Sequence, residues 1–434
     1  PNPPDPYPGA KLQDEPLVTT DGAFVRRYGG TTAAIGGLRL VTPSVFLRVL
    51  DELASGDRYR PVDLAGTDVT VNEVRGDGLS GLADRFVNHP SLERIRGLRA
   101  VIDYAAAHPE EVRLETVTVD GDPRGLVAWR VRGNEIEVLL VRATTGIGET
   151  TIGRHLLGRL RDLAIGSAIE TIRIIDRHAS STVSRSFRDE GFAASERDDA
   201  EGIVAHTLQG LGTLDELRRR AAAVGSPLAD SPMLASDAAD MAHRAAEAER
   251  WFAPFRVVGA GIQTLVVPIQ HGWATDLVDV GLAEGQLLPR PWGLGLRREL
   301  VYYRSPRNPS CVELPARLLW YVSGRAPGAG TIRAVSHLTE VAVDEHARLF
   351  HRFRPLGVYG ADDVASRADA RTGRAMALRF TSTERLPRPV TLAEYRKLMT
   401  GDSEDQTVVV RSIRRIPEHV FVQMISAEVE LHNG

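Results

Sequence analysis

Apolar and polar positions change their period several times along the chain, and each change predicts an element. Arg113 to Val119, Arg124 to Val131 and Glu135 to Arg142 read as three strands, with a turn at Asp120-Gly121-Asp122-Pro123 between the first two. Two helical stretches precede them, Leu79 to Arg96 and Leu98 to Ala107. After them, Ile152, Leu156, Leu157, Leu160 and Leu163 fall on one face of a helix. A strand follows at Thr171 to Asp176, then a helix ending at Ser186-Phe187-Arg188-Asp189-Glu190-Gly191-Phe192, then a strand from Gly202 to Leu208. This succession predicts a mixed α/β domain over residues 68–210.

Residues 211–254 predict a helical connector. Thr213-Leu214-Asp215-Glu216 is the spelling of a capping box, Gly225 closes that helix, and an alanine-rich helix spans Asp237 to Trp251. From 255 to 434 the pattern turns to short β-type runs: Glu299 to Arg304, Ala316 to Ser323, Ile332 to Val341, Leu356 to Tyr359, Ala375 to Phe380 and Pro389 to Leu392. The Gly- and Pro-rich segment Gly324 to Gly330 is a turn, and Ala361-Asp362-Asp363-Val364 starts a helix. These runs predict a small, closed antiparallel β-barrel. At the front, residues 1–15 are rich in Pro, Asp and Gly. Pro16 to Asp21 reads as a strand ending in an acid, and Leu38 to Leu47 as a strand followed by a helix that Thr42 or Ser44 caps.

Composition bounds the class. The chain has 434 residues, enough for two or three domains that each bury a core. Its 43% apolar and 25% charged residues are those of an ordinary globular protein. No apolar run reaches the ~18 residues of a membrane span, and no signal peptide opens the chain, so the expectation is a cytoplasmic protein without membrane contact. The single cysteine, Cys311, excludes an internal disulfide and a multi-cysteine zinc site. Of 53 basic residues only Lys11 and Lys397 are lysine; genome base composition accounts for such a bias, and arginine also supplies forked donors for phosphates. The net charge of −4 divides into −8 over residues 1–250 and +4 over residues 251–434, the sign that a nucleic-acid partner of the C-terminal part requires.

The β-runs with Tyr302-Tyr303-Arg304, Trp320-Tyr321 and Leu356 to Tyr359 resemble the PUA-like superfamily that includes ASCH and EVE domains. The order of elements over 68–210, with a glycine-containing loop opening the helix after the third strand and the Gly191-Phe192 ending, resembles the GNAT acetyltransferase fold. Pro16 to Leu47 resembles the end of a PIN nuclease domain, so residues 1–67 would be a remnant of one. The three together, with Val267-Pro268-Ile269-Gln270 and Arg411 to Ile416 as flanking motifs, resemble a bacterial and archaeal family with those parts.

The resemblances imply chemistry. A GNAT enzyme holds the pyrophosphate of acetyl-CoA on amides at a helix N-terminus. Here that role would fall to Val141, Arg142, Gly146, Gly148, Thr151, Gly153 and Arg154, with Phe187 standing where many members carry a tyrosine acid. Two alignments stay open: Gly153 on the family's last glycine, with Glu149 and Thr151 where glycine is usual, or Gly146 and Gly148 forming the turn with an insertion after them. Glu137 is the candidate base for an amine, its competing reading a solvated strand carboxylate. A GNAT fold kept only as scaffold is the alternative to an enzyme.

In the PUA-like part, Tyr303, Arg304, Trp320, Ser323 and Tyr359 are the candidates for RNA, single-stranded DNA or a modified nucleotide, because bases stack on aromatic faces and arginine meets phosphate. Strand alternation puts Trp320 and Tyr321 on opposite faces, so one lines a pocket and the other is core. His337 reads as a structural, hydrogen-bonded histidine. Asp21 stands without companion acids, so no metal site is expected. The function these readings favour is acetyl transfer to an amine near a nucleic-acid-binding domain; the rival is a non-catalytic recognition protein, regulatory or defensive.

Overall fold

The computed structural model describes residues 59–64, 67–146, 148–195, 202–235, 240–278, 298–306, 311–356, 359–400 and 410–432, and before them the backbone of two short strands. Those strands, β1 (Pro16–Val18) and β2 (Arg39–Val41), pair in parallel within a unit of residues 1–58. The expected helix after Pro43, and Asp21, lie outside the described residues. Everything from Tyr59 onward is a second unit.

That unit begins with a seven-stranded sheet. Its elements in chain order are β3 (Val69–Glu73), α1 (Leu82–Phe86), α2 (Ile95–Ala107), β4 (Arg113–Val119), β5 (Asp122–Arg132), β6 (Glu135–Ala143), α3 (Glu149–Gly166), β7 (Thr171–Ile174), α4 (Ser181–Asp189), β8 (Ala193–Ala194) and β9 (Ile203–His206). The strand order is β3-β4-β5-β6-β7-β9-β8, antiparallel except where β6 runs beside β7. Alternation along β5 decides what each face covers. Val127 packs with Ile152, Leu156 and Leu160 of α3, whereas Leu126 and Ala128 pack with Leu98 and Ile102 of α2. The edge strand β3 was not evident in the sequence, because five residues reading Val-Thr-Val-Asn-Glu carry only half a period-two face.

The connector supplies β10 (Leu211–Gly212), α5 (Leu214–Ala223), α6 (Met241–Trp251) and β11 (Arg256–Val257), the last pairing in parallel with β10. As its spelling predicts, the Thr213 hydroxyl caps α5 by accepting from the Glu216 amide at 3.2 Å. Leu214, Leu217, Phe252 and Phe255 give this region a small core of its own.

The remaining elements are β12 (Gln263–Gln270), α7 (His271–Leu277), β13 (Glu299–Arg304), β14 (Ala316–Ser323), β15 (Thr331–Glu345), α8 (His346–Phe353), α9 (Ala361–Ser366), β16 (Arg374–Thr391), α10 (Leu392–Thr400), β17 (Arg414–Ile416) and α11 (Glu418–His432). The expected closed antiparallel barrel is corrected here. Among the described residues the strands make one sheet in the order β13-β16-β15-β14-β12-β17, with β12 and β14 parallel. The expected run Ala375 to Phe380 and all but the last residue of Pro389 to Leu392 belong to the single 18-residue β16, which bends through register shifts against β15, while Leu392 opens α10. Tyr359 lies in irregular backbone after a 3-10 turn at Arg354–Leu356, where a strand was expected.

Candidate functional site

Each half offers one place where the sequence put chemistry. In the α/β half it is the loop from β6 into α3. Gly146 and Gly148 both have positive φ, and Gly148 stands immediately before the helix. The side chains around this loop are engaged with one another. Arg142 is 3% exposed and lies between two acids, its guanidinium donating to both oxygens of Glu93 at 2.9 Å and to Asp176 at 2.6 and 2.7 Å. The Val141 amide donates to the same Asp176 carboxylate at 3.0 Å. Thr151 is fully buried, and its hydroxyl oxygen accepts from the Arg60 amide at 2.9 Å. Gly153 abuts Val183 of α4, 3.1 Å from where a Cβ would stand.

Arg154 points away from the loop. It pairs with Glu190 at 3.0 Å and with Glu299 of β13 at 2.6 Å, and its guanidinium lies 4.7 Å from the Tyr59 ring centre. Phe187 is core, 6.0 Å from Phe192 between ring centres. Glu137 faces Arg130 across β5 and β6, accepting from its Nε at 2.5 Å, with Arg132 Nε 3.6 Å away. Cross-strand pairing of this kind is a structural use of a carboxylate.

In the β half the expected residues divide. Trp320 is completely buried, edge-on to Tyr302 at 5.6 Å and against Phe380 at 4.8 Å, and its Nε1 donates to Ser336 at 2.8 Å. Tyr321 faces the opposite side of the sheet, in the core with Val420 and Phe421. Tyr303 is 1% exposed, its hydroxyl donating to the Leu349 carbonyl at 3.4 Å. Ser323 donates to the Ile269 carbonyl at 3.0 Å. His337 is buried beside Glu249, Nε2 to carboxylate 3.7 Å, and burial together with Arg256, Arg250 and Arg317 keeps it neutral, well below the usual imidazole range.

Tyr359 and Arg304 come together with residues that the sequence reading missed. The Trp273 ring stacks on Tyr359 at 4.1 Å and 19°. The Arg367 guanidinium lies 4.8 Å from the Trp273 ring centre and 4.9 Å from that of Tyr359. Arg367 is held there by donating to the Asp363 carbonyl and Ser366 hydroxyl at 2.8 and 3.3 Å. Tyr302 lies 6.4 Å from Tyr359; burial raises its phenol pKa, while Arg304 and Arg367 both pull it back. The Arg367 guanidinium thus lies against two rings of a group of three, of which Trp273 is only partly buried, and the charge of Arg304 acts on the third, Tyr302. The signal in the sequence was weak: Trp273 sits in a seven-residue helix and Arg367 just after a six-residue one, 94 positions apart along the chain.

Among the described residues no three His, Cys, Asp or Glu side chains converge as metal ligands, and no helix is long and apolar enough to cross a membrane.

No protein-family model and no curated protein matches this chain. Solved structures similar to parts of it include ASCH from Zymomonas mobilis, 13% identical, TM-score 0.26, covering 38% of this chain and 94% of that one. PaiA N-acetyltransferase from Thermoplasma acidophilum, in complex with coenzyme A, is 14% identical with TM-score 0.26, covering 31% of this chain and 96% of that one. A GNAT-family acetyltransferase from Staphylococcus aureus is 13% identical with TM-score 0.27, covering 32% of this chain and 98% of its own.

Proposed function

We propose that the protein is a recognition module for single-stranded nucleic acid or a nucleotide, read by the β half at Trp273, Tyr359, Arg367 and Arg304, with the α/β half as its rigid support. The observation that supports this reading is the Trp273–Tyr359 stack flanked by the Arg367 guanidinium. A partly exposed aromatic plate beside a fixed cation is the arrangement on which a base stacks while its phosphate is neutralised. The +4 balance of residues 251–434 has the matching sign. Acetyl transfer, the activity that the GNAT resemblance implies, is not assigned to the α/β half. Arg142, Thr151, Arg154 and Glu137 are each engaged by protein partners, and Phe187 has no proton to give.

The test is titration of the full chain with single-stranded RNA, single-stranded DNA and nucleoside phosphates at low salt, followed by calorimetry and by the intrinsic fluorescence of the five tryptophans, of which the Trp273→Ala variant isolates the Trp273 share. Stacking is worth about 1–3 kcal/mol per base, so Tyr359→Ala and Trp273→Ala are expected to weaken binding roughly ten- to a hundredfold. Arg367→Ala and Arg304→Ala are expected to lower the salt dependence as well, because a lost phosphate contact releases fewer counterions. A folded protein that binds none of these ligands overturns the reading.

A further inference from the structure

The start of α3 has the makings of an anion site. Its first amides have no partner within the helix, the helix dipole is positive there, and glycines at 146 and 148 would let a ligand approach the backbone. The chain supplies an anion of its own. The Glu149 side chain folds back over the turn, one oxygen accepting from the Gly146 amide at 3.4 Å and the other from the Ser180 hydroxyl at 2.5 Å, and the residue is only 6% exposed. Ser180 in turn caps α4 by accepting from the Val183 amide at 3.1 Å. One buried carboxylate therefore joins the N-terminal ends of two helices.

Two further contacts close the surroundings. The segment Tyr59 to Leu64 lies along the same turn: the Arg60 amide bonds Thr151, and Leu64 Cδ2 is 3.9 Å from where a Cβ on Gly148 would stand. Beyond it, β6 and β7 stop pairing after Val138 and Ile174, with one last bond from the Ile175 amide to the Val138 carbonyl at 3.0 Å. An extended ligand arm carrying amides would enter such an opening by pairing with the exposed strand edge. The Asp176 carboxylate has taken that position, accepting from the Val141 amide and the Arg142 guanidinium together.

We infer that the α/β half is closed to acyl-coenzymes by its own acids: Glu149 stands in for the diphosphate at the start of α3, and Asp176 for the amide arm between β6 and β7. A second anion brought to Glu149 meets a like charge in a poorly solvated place, where repulsion between unit charges a few ångströms apart is strong. The disagreement with the resemblance is therefore built into two named side chains.

Inorganic pyrophosphate is the deciding probe, since coenzyme A carries a nucleotide that can enter the β half. Calorimetry on the full chain compares wild type with Glu149→Gln, which keeps the shape and removes the charge, and with Glu149→Gly, which removes both. The expected result is pyrophosphate affinity at least roughly tenfold higher in the variants than in wild type. If Glu149→Gly does not fold, Glu149→Gln decides alone. A Glu149→Gln protein that melts like wild type and gains no affinity overturns the inference. So does coenzyme A binding by wild type that survives Arg304→Ala with Arg367→Ala. Oligonucleotide binding by the β half is expected to be equal in wild type and Glu149 variants, so failure here and failure of the recognition reading are told apart.

Discussion

Arg317 is the second residue of β14 and has no exposure, a position that the surrounding apolar residues would assign to a hydrophobe. It is tolerated because its charge is matched atom by atom. Nη2 and Nε donate to the Glu249 carboxylate at 2.5 and 3.0 Å, Nη2 also donates to the Val257 carbonyl at 2.5 Å, and the Phe421 ring lies 4.5 Å beneath. Glu249, equally buried, also accepts from the Val257 amide at 2.6 Å. Such a pair adds little net stability over a hydrophobic replacement, yet breaking it strands a charge. Arg317→Met and Glu249→Gln are each expected to cost about 3–5 kcal/mol in urea denaturation. The double variant Arg317→Met with Glu249→Gln is expected to cost less than the sum of the two, which the double-mutant cycle measures. In the sequence Arg317 reads as one arginine among many, because its partner lies 68 positions away on a helix that shows no chemistry of its own.

At the scale of elements, the end of α4 shows what a local spelling can carry. Gly191 adopts φ +77 after the helix, and a Cβ there would stand 2.8 Å from the Trp251 indole at the end of α6. The glycine is therefore needed twice, for its left-handed backbone and for the space. Gly191→Ala is expected to destabilise by roughly 2 kcal/mol or more, seen as a lower melting temperature, since the strain of positive φ adds to the overlap. The Gly191-Phe192 ending, the period-two strands β4 to β6 and the N-cap at Thr213 were legible because each is decided within a few residues. The open sheet of the β half was not. Its β12 strand, Gln263 to Gln270, pairs in parallel with β14 some fifty residues later, and β17 is three residues long. Pairing partners at such separations leave no mark on local pattern. For the same reason the contact between Trp273 and Arg367 escaped notice, whereas Trp320 and Tyr303, conspicuous in their strands, fill the core.

Across the whole second unit, a chain of ion pairs runs from the α/β half to the β half. Glu190 meets Arg154 at 3.0 Å and Arg298 at 3.3 Å; Arg154 meets Glu299 at 2.6 Å; Glu299 meets Arg379 at 2.5 Å; Arg379 meets Glu340 at 3.5 Å. The Tyr59 hydroxyl joins the network by accepting from the Arg298 amide at 2.5 Å. Burial alone would raise the Glu190 carboxyl, but Arg298, Arg154 and Arg161 overcome it and bring the pKa down to about 2. Beside this network on α3, His155 is buried with its Nε2 unpartnered, and burial with the nearby Arg159 and Arg298 lowers it to about 3.

Both shifts act in the same direction on folding. Between about pH 6.5 and 3 the unfolded chain protonates His155 and the folded chain does not; between about pH 4.5 and 2 the same holds for Glu190. Stability is therefore complete above pH 7 as far as these groups are concerned, begins to fall below about pH 6.5 because of His155, and falls more steeply below about pH 4.5 as Glu190 joins. The loss by pH 3 is expected to be several kcal/mol. His155→Leu fills the same space without a titrating group, so its stability profile is expected to fall less than that of wild type between pH 7 and 5, the decline that remains belonging to the buried, neutral His337. Glu190→Gln is expected to behave oppositely: lower stability at neutral pH, because Arg154 and Arg298 lose a buried partner, and a shallower slope below pH 4.5. Urea midpoints measured from pH 3 to 8 for the three proteins check this. A His155→Leu midpoint that falls between pH 7 and 5 as steeply as that of wild type would assign His155 an ordinary, solvated environment and refute the buried neutral imidazole.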